Sequence, residues 1–134
     1  MELKKSYKGF VWFMLGFTAV MFLFCFLPIK DGGLITRLVC AEMTCGVALL
    51  AYIIYRTEYV YWYNGTEYEE AVAAGSERRK AFALAHFKRF AVCAVACVGY
   101  SVAAQLLGWP FWIDILLSGV GVIVAAISTI GIRL

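Results

Sequence analysis

From Gly9 to Pro28 the chain carries no charged residue, and this run constrains the fold more than any other feature. At about 1.5 Å of rise per residue, a helix over it is long enough to cross a hydrocarbon core of roughly 30 Å. Three further apolar stretches follow, over 34–55, 90–107 and 111–132. Lipid offers the backbone no hydrogen-bond partner, so such stretches cross it as helices, which satisfy their amides internally. The expectation is an all-α fold: a four-helix transmembrane bundle of two helical hairpins, joined by a short cytoplasmic helical connector over 56–89. Its 134 residues form one membrane domain, and with 63% hydrophobic and 16% charged residues it is far from a soluble domain, where roughly a quarter are charged.

Lys4, Lys5 and Lys8 precede the first run, which exceeds the usual apolar core of a cleaved signal and is followed by no small-residue cleavage motif. An uncleaved signal-anchor is expected. Pro28 is expected to end the first helix and Lys30-Asp31-Gly32-Gly33 to form a tight polar turn. Thr66-Glu67-Tyr68-Glu69 matches a capping box that would start a short helix ending near Gly75. Ser76 then caps the helix that becomes the third span. Gly108-Trp109-Pro110 breaks that helix and opens the second hairpin.

Lys4, Lys5, Lys8, Arg56, Arg78, Arg79, Lys80, Lys88, Arg89 and Arg133 fall on one side of this topology, against Lys30 and Arg37 on the other. Because cytoplasmic flanks collect Lys and Arg, both termini are expected in the cytoplasm of a multi-pass cell-membrane protein. Trp12, Tyr59, Tyr61, Trp62 and Tyr63 would mark the inner interface, and Trp109 and Trp112 the outer one. Asn64-Gly65-Thr66 matches a glycosylation sequon, but this topology leaves it on the inner side. The basic residues are explained by topology, so no nucleic-acid partner is inferred.

The intramembrane charges ask for a reason, because a lone charge in hydrocarbon costs several kcal/mol (on the order of 3 or more). Arg37 and Asp114 lie at similar depth from the outer side, where a structural ion pair or the lining of an external vestibule would account for them. Glu42 lies deeper and about 140° around the helix from Arg37. It is expected either to be a neutral carboxyl hydrogen-bonded to Thr44, Gln105, Ser101 or Tyr100, or to bind a proton or cation within the span. Glu42, Arg37, Asp114, Gln105 and Tyr100 together make the candidate intramembrane polar site.

No catalytic triad, phosphate loop or metalloprotease motif is visible, so no enzyme activity is expected. Cys25, Cys40, Cys45, Cys93 and Cys97 lie in apolar runs and read as buried free thiols, with no metal site and no cofactor. His86, the single histidine, reads as an interfacial residue. Small residues at helical spacing (Ala41, Cys45, Ala48 and Ala51; Cys93, Cys97, Ser101 and Ala104; Ser118, Val122, Ala125 and Thr129) read as close helix contacts. The bulkier first span would face lipid or a partner subunit, and 59–89 would be a solvated connector against anionic lipid.

The stretch Tyr61-Trp62-Tyr63-Asn64-Gly65-Thr66-Glu67-Tyr68-Glu69-Glu70-Ala71, with Glu77-Arg78-Arg79-Lys80 after it, resembles the juxtamembrane segment of small uncharacterised multi-pass membrane proteins of Gram-positive bacteria. That resemblance implies a membrane location and no particular activity. The expected function is that of a homo-oligomeric or accessory membrane subunit. The competing expectation is a small transporter or channel in which Glu42 binds a proton, cation or polar solute, with a lesion-forming protein as a third.

Overall fold

The computed structural model describes residues 3–63 and 65–134; Asn64 of the sequon lies outside them. Four α-helices account for most of these residues: α1 (Lys8–Phe24), α2 (Gly32–Thr57), α3 (Tyr68–Leu107) and α4 (Trp112–Thr129). A single 3-10 turn over Val60–Trp62 follows α2. α2, α3 and α4 are each long and apolar enough to cross a membrane. α1 has 17 residues, about 25 Å at the helical rise, and is the shorter apolar helix.

The boundaries of the first hairpin differ from the sequence expectation. α1 stops at Phe24, ahead of Pro28, and closes in tightened turns in which the amides of Cys25, Phe26 and Leu27 donate to carbonyls three residues earlier. A proline disfavours helical angles in the residue before it, so the turn is made upstream of the ring. Gly32 and Gly33 belong to α2 rather than to the reversal. Asp31 is the N-cap, its carboxylate accepting from the amides of Gly33 (2.9 Å) and Leu34 (3.2 Å).

α3 contains a break. Gly75 has φ 75° and ψ 164°, angles open to glycine and strained for other residues, and the helix changes direction there. The short helix ending near Gly75 is therefore present, but its capping box is not formed: Glu67 is the N-cap and no side chain bonds the first-turn amides. Ser76 is not a cap either, because its hydroxyl is committed to Glu58. At the far end Gly108 takes a left-handed conformation (φ 68°), and the amide of Trp109 reaches back to the carbonyl of Ala104 at 2.9 Å. This closure is of Schellman type and turns the chain into α4.

Contacts along the helices set their directions. Arg37 meets Gln105 and Tyr52 meets Phe87, so α2 and α3 are antiparallel. Ser101 meets Asp114 and Cys97 meets Leu117, so α3 and α4 are antiparallel too. These three helices pack mutually, whereas α1 lies against α2 and has no buried residue. Gly46 is the seat of that contact: a Cβ there would overlap the Phe17 ring. The small residues Ala48, Ala51, Ala94, Ala104, Ser101, Ser118 and Ala125 are buried at helix contacts, where they let backbones approach. Cys45, placed in the same stripe by sequence, is exposed.

The hydrophobic cluster of fully packed residues sits in the connector, not in the middle of the bundle. Ile54, Val60, Tyr61, Ala71, Phe82 and Ala83 form it. The segment read as a solvated connector is thus a folded cap, with Tyr61 among its core residues. The N-terminal segment before α1 is strapped over this cap. Tyr61 Oη accepts from the Ser6 amide (2.8 Å) and donates to the Ser6 carbonyl (2.9 Å), while Trp62 Nε1 donates to the same carbonyl at 3.0 Å. Tyr68 Oη donates to the Leu3 carbonyl at 2.6 Å. Rings crowd beneath it, with Tyr7 edge-on to Tyr61 at 5.4 Å.

Candidate functional site

Polar side chains gather at both ends of the three-helix core. At the hairpin end, Arg37 of α2 is 6% exposed and Asp114 of α4 is 2% exposed. Arg37 Nε stands 3.4 Å from Asp114 Oδ2, an electrostatic contact outside hydrogen-bond geometry. The guanidinium makes its hydrogen bonds elsewhere. Nη1 donates to Gln105 Oε1 at 3.0 Å, and Nη2 donates to the carbonyl of Trp109 in the α3–α4 turn. Ser101 Oγ donates to Asp114 Oδ1. One arginine thus ties α2, α3, the turn and α4 together, and the buried carboxylate offsets its charge.

The candidate polar site divides. Arg37, Asp114 and Gln105 come together, whereas Tyr100 lines the groove between α3 and α4, with its ring 5.9 Å from that of Trp109. Glu42 is not with them. It lines a groove of about 600 Å³ between α1 and α2, among Trp12, Phe13, Gly16, Phe17 and Val20. Both of its carboxylate oxygens are shielded from solvent and have no hydrogen-bond partner among the described residues. None of the four partners expected from sequence reaches it, because Gln105 serves Arg37, Ser101 serves Asp114, and Thr44 bonds carbonyls of its own helix. The Tyr100 hydroxyl is likewise shielded and unpartnered. The physical cause is rotation: five residues along α2 turn Glu42 away from α3 and α4 and toward α1.

At the connector end stands a second charged cluster that sequence reading missed. Glu58 terminates α2 with φ 60°, the one positive φ among described non-glycine residues. It is 4% exposed, as is Arg79. Arg79 Nη2 and Nε both donate to Glu58 Oε2, at 2.8 and 3.1 Å, and Nη1 donates to the Ala71 carbonyl at 3.0 Å. Ser76 Oγ donates to Glu58 Oε1 at 2.8 Å, and Lys80 Nζ lies 3.6 Å from it. Burial alone would push the Glu58 carboxyl up. The hydrogen bonds from Ser76 and Arg79, with the charges of Arg79 and Lys80, outweigh it and hold the group below its ordinary value. Such a left-handed residue is strained by roughly 1 to 2 kcal/mol and persists because its surroundings hold it. The available signal was Glu58 itself, an acid set between an apolar helix and a run of aromatic residues, where water is scarce.

His86 is buried. Its ring stacks on Tyr63 at 4.4 Å, and its Nδ1 stands 2.9 Å from the Phe82 carbonyl, with which it hydrogen-bonds. All five cysteines are free. Among the described residues, no group of three His, Cys, Asp or Glu side chains is arranged to hold a metal ion.

Two polar clusters close the ends of a helical bundle, and the acid between them, Glu42, has no hydrogen-bond partner among the described residues. Compared with protein-family models, with curated proteins and with solved structures, the chain has no match.

Proposed function

We propose that this protein is a four-span subunit of the cell membrane, with both termini in the cytoplasm, that works as a homo-oligomer or beside other membrane subunits. The observation that carries the reading is Glu42. A carboxyl group shielded from water and without a hydrogen bond is costly in an apolar groove, and a donor from outside the chain relieves that cost. Polar groups of this kind bring helices together in lipid. The light packing of α1, with no buried residue of its own, leaves the α1–α2 face open to a neighbour. α1 counts as the first span because the charge-free run continues past Phe24 through Pro28 and brings it close to bilayer thickness. Phe17 of α1 meets Gly46 of α2, and Phe10 meets Trp62 beyond the end of α2, so α1 runs antiparallel to α2, which supports the same assignment. Single-molecule photobleaching in nanodiscs tests the reading: wild type is expected to bleach in several steps and Glu42→Ala in one. A single step for wild type reconstituted alone, with no partner recovered from its native membrane, would sink it.

The alternative is a small transporter or channel in which Glu42 binds a proton, cation or polar solute. The same groove favours it, because Trp12, Phe13 and Phe17 beside a carboxylate suit a cation. Arg37 and Asp114 contribute less to this reading, since their charges are satisfied by each other and by Gln105 and Ser101. Proton or cation flux into vesicles that is equal for wild type and Glu42→Gln would remove this alternative.

A further inference from the structure

A second groove, of about 680 Å³, runs between α3 and α4 and is lined by residues of those two helices. Its walls are almost wholly apolar, with Val92 and Ala96 of α3 facing Leu117 and Val124 of α4. Gly121 forms the floor: a Cβ there would come within 3.0 Å of Cys93 Sγ, so the two helices meet at this point and leave a channel above it. One end of the groove carries two cations, Lys88 and Arg89. Both are exposed, and among the described residues neither stands within ion-pair distance of a carboxylate. The other end reaches Tyr100, about 18 Å along the helix from Lys88 at the helical rise. The groove is therefore apolar along its length and doubly positive at one mouth only.

We infer that this groove binds one anionic phospholipid, with its phosphate between Lys88 and Arg89 and an acyl chain laid along α3 and α4. The charge pattern selects this occupant. A neighbouring transmembrane helix would fill the apolar walls but has no need of two unpaired cations at the mouth, whereas a phospholipid matches both features in one molecule. Lys88 and Arg89 lie where the uncharged part of α3 begins, at the connector end, which is headgroup depth for a helix that crosses the bilayer. Basic pockets between transmembrane helices at the cytoplasmic face have this composition and hold anionic headgroups. The inference rests on α3 and α4 crossing the bilayer with the connector inside, and not on the oligomeric or cation readings of Glu42.

The test is native mass spectrometry of the full chain released from nanodiscs containing phosphatidylglycerol and phosphatidylcholine with identical acyl chains. Wild type is expected to retain one phosphatidylglycerol, preferred on the order of 10-fold over phosphatidylcholine, since each basic side chain near an anionic headgroup contributes severalfold. K88Q/R89Q, which changes only exposed side chains, is expected to lose the preference. Ala96→Phe, which fills the groove from an exposed position, is expected to lose the lipid at unchanged helicity. Equal retention of the two lipids by wild type, or an unchanged preference in K88Q/R89Q, would overturn the inference. So would displacement of the lipid by millimolar inorganic phosphate, which would make the mouth a free-anion site, or crosslinking of Ala96→Cys to a second helix. A chain recovered outside the nanodiscs would instead overturn the membrane reading itself.

Discussion

Arg79 lays two nitrogens on a single carboxylate oxygen of Glu58, Nη2 at 2.8 Å and Nε at 3.1 Å. The acid closes α2 and the arginine lies just beyond the break at Gly75 in α3, so this pair clasps the end of α2 to the part of α3 that follows the break. Removing one member of such a buried pair leaves an uncompensated charge, at a cost of about 3–5 kcal/mol. Arg79→Ala is expected to lower stability by that order in detergent unfolding. Glu58→Leu combined with Arg79→Met should recover a large part of the loss, and a double variant no more stable than Arg79→Ala would count against the clasp.

The same pair sets a pH dependence. The folded-state value of Glu58 is held below its ordinary one, so the folded state favours the ionised carboxylate. Its stabilising contribution is full above the unfolded value, about 4.3 for a glutamate, and is lost as pH falls through the lowered folded value. Unfolding followed from pH 7 down to pH 3 should show little change from this group until the acid end. In Glu58→Gln the portion of the acid slope due to this residue should vanish. An identical slope in the variant would show that other carboxylates carry it.

At the opposite end, Asp114→Ala strands Arg37 in a water-poor site, with an expected loss of about 3–5 kcal/mol. Asp114→Asn keeps a hydrogen-bonding side chain near Ser101 but removes the charge, and should lie between that variant and wild type. Arg37→Met with Asp114→Leu replaces both charges by apolar groups and is expected to approach wild-type stability, because desolvation then disappears with attraction. Circular dichroism during thermal unfolding in micelles reads all three.

Gly46→Ala addresses the contact of α1 with α2. The added methyl overlaps the Phe17 ring, and α1 has no buried residue to resist displacement. The expected result is faster amide hydrogen exchange in α1 with α2, α3 and α4 unchanged, since the contact is local. Uniform loss of protection across all four helices would show instead that α1 is integral to the core.

Much of the architecture was legible in the chain. Long apolar runs determine that the protein is helical and suited to a bilayer, because solvent and backbone hydrogen bonding leave few other options. Local chemistry placed the break at Gly75 and the turn at Gly108, where left-handed angles suit glycine. Arg37, Gln105 and Asp114 were legible as expensive polar groups. What the sequence could not determine was which of them meet, since that depends on the rotation of each helix about its axis. Tertiary structure turned Arg37 toward α3 and α4 and left Glu42 facing α1, an outcome set by side-chain packing over the whole bundle. It also decided that 59–89 is a packed cap rather than a solvated linker. Glu58, Arg79 and Ser76 come from positions up to 21 residues apart, and only folding at Gly75 brings them into one cluster.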